Sequence, residues 1–201
     1  MIKKCFLYLL LPLLLPLFMA DTAMAHSSDG NGFYAGLTHP VGGLDHLLAM
    51  LSVGILSTQM EGRHIWLVPT TFVTVMPLGR VVGLQGSIIP MSVVEYGIVL
   101  SVILLSLVIA MGGTMPTAVI YTFVAFFGFA HGYAHGVELP ELAKPQYFVA
   151  GFALSTIMIH IAGVIIGFVY AVGKEKGMLL LRYTGALIMG MGMQMLLDSV
   201  R

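Results

Sequence analysis

HPVGGLDHLLAMLSVGILS, residues 39–57, sets two histidines and an aspartate at the mouth of a long apolar run. An ionisable side chain within a membrane helix costs about 2.5–3.5 kcal/mol on insertion scales, so the placement needs a reason. The rest of the chain repeats the theme. It is 58% hydrophobic and only 9% charged, with a mean hydropathy of +0.98, whereas soluble domains carry roughly a quarter charged residues. Composition therefore predicts an all-α, polytopic membrane helix bundle. Nine basic residues balance nine acidic ones, which leaves no basic surface for nucleic acid. Neither a Walker-type phosphate loop nor a dinucleotide fingerprint occurs, so ATP binding by this chain is not expected.

Residues 1–25 read as a signal peptide. Lys3 and Lys4 lead an apolar stretch from Cys5 to Met19, and Ala23-Met24-Ala25 supplies a small-x-small cleavage pattern. An uncleaved first helix is the alternative. Cleavage makes His26 the first mature residue and removes the only cysteine, so neither disulfides nor thiolate ligands are expected in residues 26–201. Residues 26–201 are expected to form a single six-helix transmembrane domain.

A spanning helix needs roughly 20 apolar residues. Six candidates follow the signal, near 35–58, 65–84, 92–111, 116–135, 147–172 and 178–198. Gly163 and Gly167 form one GxxxG pair, and Gly128, Gly132 and Gly136 repeat at the same spacing. Small residues at that interval let membrane helices approach closely, so most glycines read as packing. A cleaved signal places the mature N-terminus in the periplasm of a bacterial inner membrane, and six crossings return the C-terminus there. The distribution of Lys and Arg supports this orientation only weakly.

The ionisable residues then sort to one face. His39, Asp45 and His46 lie where the first helix enters from outside, and Glu95 lies one turn into the third. His131, His135 and Glu138 lie where the fourth leaves. His131 and His135 share a helix face at i,i+4, and Glu138 follows three residues on. Asp45 and His46 point about 100° apart on a regular helix and do not easily address one ion. Pro40, Gly42 and Gly43 predict an irregular mouth that lets His39 fold back beside Asp45. Met50, one turn below His46, either lines the path or packs. His160, mid-way along the fifth helix, is either a deeper station or a buried imidazole bonded to a neighbour. His26 can pair its ring with a free α-amine to chelate metal, and His64 reads as a solvated cytoplasmic residue.

Neutral imidazole with carboxylate suits nickel, cobalt or zinc. The competing structural reading is a hydrogen-bonded network tying helix ends together, but three acids and four histidines exceed that need. An intramembrane zinc-dependent hydrolase would use the same residue types, though no HExxH motif is present. A passive scaffold explains the glycines but not the sorted histidines. One site or two of three to four ligands are equally compatible with the spacing.

These residues resemble the HupE/UreJ family of hydrogenase and urease accessory nickel permeases. HPVGGLDHLLAMLSVG fits the family's HPxxGxDHxxxMxxVG pattern throughout, and HGYAHGVELP is similar to its HGxAHGxE signature. Weaker likeness continues through Glu95, GFALSTIMIHIAG and RYTGALIMG. The resemblance implies a non-enzymatic permease for nickel, with cobalt as alternative cargo and no permanent cofactor. Implied partners are cytoplasmic metal chaperones or metalloenzyme maturation proteins. Functional positions by that likeness are His39, Asp45, His46, Phe72, Glu95, His135 and Glu138; spacing alone singles out all but Phe72. Arg80 departs from the small apolar residues expected in the second helix. Imidazole binds metal only when neutral, so uptake is expected to weaken below about pH 6.5. Uptake that rises steadily toward pH 5 would count against histidine ligation.

Overall fold

A computed structural model describes residues 32–86, 88–138 and 145–200. Those residues form α1 (Gly32–Gly42), α2 (Leu44–Met60), α3 (His64–Gly83), α4 (Met91–Ala110), α5 (Thr117–Glu138), α6 (Pro145–Val172) and α7 (Lys174–Ser199). The expected signal peptide and His26 lie outside the described residues, as does the side chain of Glu138.

Five helices, α3 to α7, are each long and apolar enough to cross a membrane. Among the described residues a sixth crossing exists only if α1 and α2 count together, because they meet at 79°. The single helix expected over 35–58 is thus corrected to two, broken where Pro40, Gly42 and Gly43 predicted irregularity. At the break Gly43 is extended, with φ −97° and ψ 113°. A Cβ there would sit 2.9 Å from Asp45 Oδ1 and 3.1 Å from His46 Nδ1, so its absence makes room for that pair.

Glycine contacts decide which helices pair. On α5, a Cβ at Gly132 would run into the Met76 carbonyl and the Arg80 amide of α3, and one at Gly136 would meet Arg80 and Gly83. Gly79 of α3 lies equally hard against the Phe129 carbonyl. Gly36 of α1 faces the Phe148 carbonyl of α6, while Gly54 of α2 and Gly163 of α6 meet almost backbone to backbone. Gly185 of α7 rests on Ser106 and Ala110 of α4. Such close approaches gain dispersion contacts where lipid removes the hydrophobic drive to associate.

The interior is filled by side chains such as Val53, Leu56, Val102, Leu105 and Phe127. Met50 belongs to it and is fully buried, so it packs. Large apolar groups such as Leu78, Phe126, Val172 and Leu187 point outward, as lipid-facing residues do. Helix ends are stitched by neighbours. Gln59 Nε2 donates to the Ile109 carbonyl at 3.0 Å, and Arg182 Nε donates to Ala110 at 2.8 Å. Both reach last-turn carbonyls of α4, where the i+4 amide partner lies beyond the helix; Ile109 also accepts the Gly112 N–H at 2.9 Å. His64 is corrected from a solvated residue: it is half-buried, with Nδ1 3.0 Å from the Tyr121 hydroxyl.

Candidate metal centre

The break at Gly43 folds the last turn of α1 back over the start of α2, and α5 ends beside both. Four imidazoles meet as a result. Ring centroids of His39 and His135 lie 4.9 Å apart, and those of His39 and His46 lie 6.2 Å apart. His46 lies 5.0 Å from His131 and 5.1 Å from His135. His46 is the hub, touching the other three. Phe148 and Phe152 of α6 close one side of the cluster, with Phe152 4.5 Å from His135 and 6.1 Å from His39. Sequence reasoning missed these two. Their signal is an i,i+4 aromatic pair flanking Gly151, which itself packs on Phe33.

Hydrogen bonding orients the rings. His131 Nδ1 lies 2.8 Å from the Phe127 carbonyl, and a carbonyl oxygen only accepts, so Nδ1 carries the proton. Nε2 then holds a lone pair. His46 Nδ1 stands 2.9 Å from Asp45 Oδ1, which also accepts the His46 backbone N–H at 2.7 Å. The Nε2 atoms of His46 and His131 are buried without a hydrogen-bond partner. Such tethering of one ring nitrogen by a carboxylate or carbonyl is how metal-binding histidines are usually held. Leaving a buried acceptor unsatisfied costs roughly 1–3 kcal/mol.

Asp45 therefore acts on His46: carboxylate and ring meet, although on a regular helix they would point about 100° apart. Its side chain is 32% exposed while His131 is fully buried, so the carboxylate marks the outer rim. Glu95 is exposed on α4, and its neighbours Val94 and Ile98 pack on Tyr133 and Ala134; the fold does not draw it in among the imidazoles. Among the described residues no three His, Asp or Glu groups form a ready ion cage. The rings instead pack edge to face, or tilted for His46 and His135. Arg80 accounts for its own departure: Nη1 donates to the His135 carbonyl at 3.2 Å. A cation there complements the negative end of α5.

Phe72 and His160 lie deeper. Phe72 is fully buried, 5.2 Å from the His131 ring and 5.3 Å from the His160 ring. His160 donates from Nδ1 to the Thr156 carbonyl at 2.7 Å. A cavity of about 140 Å³ opens between α3, α5 and α6, with Met76, Arg80, His135, Phe152 and Thr156 in its lining.

Fold and site together define a multi-pass, all-helical membrane protein with an imidazole cluster buried between its helices. The chain matches the HupE / UreJ protein family over residues 13–195 and belongs to it. It is 40% identical over 149 residues to Protein HupE of Rhizobium leguminosarum bv. viciae, covering 73% of this chain and 77% of that protein. No solved structure matches the chain.

Proposed function

We propose that the protein is a permease that takes nickel, with cobalt as the alternative cargo, from the periplasm to the cytoplasm for hydrogenase or urease maturation. The observation that carries this reading is the meeting of His39, His46, His131 and His135, with two Nε2 lone pairs buried and unpartnered. Family membership supports it. A hydrated ion is drawn to the rim by Asp45, with Glu95 and Glu138 as further outer-face acids. It exchanges water for imidazole nitrogen, which favours nickel over magnesium or calcium. The edge-to-face packing of the rings suits such a role, because a closed, saturated cage would hold its cargo too tightly for conduction. No energy-coupling step is needed where cytoplasmic consumption draws the ion downhill.

The test is radiolabelled nickel uptake into cells expressing the protein, beside His135→Ala at matched membrane abundance. Uptake by the parent and its loss in the variant is the expected result. An inserted, well-expressed parent that takes up no nickel would sink the permease reading and bring the intramembrane hydrolase forward.

A further inference from the structure

His160 is not needed to hold the outer cluster together, yet it carries the same marks as its members. It is 2% exposed, on the long helix α6. Its Nδ1 proton is committed to the Thr156 carbonyl, so the lone pair lies on Nε2, and that atom is buried with no hydrogen-bond partner. One turn away, Thr156 Oγ1 is likewise buried and unpartnered. Thr156 also lines the cavity that reaches His135. Two unsatisfied polar atoms on neighbouring turns are costly in an apolar interior, and a bound ligand would recover that cost.

Between this pair and the outer cluster stands Phe72, its ring in contact with His131 on one side and His160 on the other. We infer that His160 Nε2, assisted by Thr156 Oγ1, is a second, inner station for the divalent ion, and that the Phe72 ring divides it from the outer station. This rests on the permease reading above. The ion leaves His131, passes the edge of Phe72 as that ring rotates, and is caught by His160. Two weak stations in series let an ion advance without either one trapping it.

The test uses the full chain reconstituted in liposomes, with nickel binding and nickel uptake measured separately. His160→Ala is expected to keep outer-station nickel affinity within about twofold and to lower uptake about tenfold or more. His160→Cys supplies a different ligand at the same point. Because the only natural cysteine is Cys5, the new thiolate is alone within residues 26–201. A softer donor favours a softer ion, so this variant is expected to transport again, with cadmium preferred over nickel at least fivefold relative to the parent. A merely structural histidine would not shift that preference. Parent-like uptake in His160→Ala would overturn the inner station, and so would equal inactivity of both variants with nickel affinity intact. A parent that neither binds nor moves nickel would instead overturn the permease reading, and the inner station with it.

Discussion

His46→Ala is expected to reduce nickel uptake to the level of cells lacking the protein, a loss of at least about 100-fold. Second contacts to a metal ligand are worth roughly 10–100-fold by themselves, and under the proposed function this variant removes the ligand together with its contacts. His46 makes ring contacts with all three of the other imidazoles. Asp45→Asn tests the same point more gently. The amide keeps an oxygen that can accept from His46 Nδ1 but removes the charge that holds the tautomer and attracts the ion. Uptake is expected to fall about 10–100-fold, while the abundance of inserted protein stays near the parent's. Uptake assays on matched membranes check both, and parent-like uptake in either variant would remove the Asp45–His46 pair from the path.

The second large effect concerns assembly. Gly132→Leu places four carbons where the α3 backbone at Met76 and Arg80 already stands. Ordinary overpacking costs about 1–3 kcal/mol because side chains can yield; here the obstacle is main chain, and about 3 kcal/mol or more is expected. Denaturant unfolding in mixed micelles is the measurement. Gly190→Ala is the control, since nothing beyond its own helix backbone lies within 4 Å of its added carbon, and it should stay within about 0.5 kcal/mol of the parent. If both variants unfold alike, the α3–α5 crossing is not what holds the bundle.

Much of the site was legible because it was local. His131 and His135 are one helical turn apart, so any helix brings them to one face. The Pro40-Val41-Gly42-Gly43 run has too few helix-favouring residues to continue straight, and the chain turns there by 79°. Glu95 was not legible in the same way. Its place along the sequence suggested the same end of the bundle, but position along a helix does not fix azimuth, and α4 turns Val94 and Ile98 inward instead. Met50 and His64 show the same limit: one is absorbed by the core, the other by a hydroxyl 57 residues away.

The sequence by itself determined the apolar, helical character of the chain, five of its six expected spans in order, and the family. Each follows from composition or from spacing along one chain. Only the tertiary structure decided the partners: α3 against α5, α6 against α1 and α2, Asp45 as the holder of His46, and Phe72 between His131 and His160. Periodicity names the face a helix presents, but what that face meets depends on how deeply backbones can interlock. Here that is set by where glycines on separate helices come opposite one another.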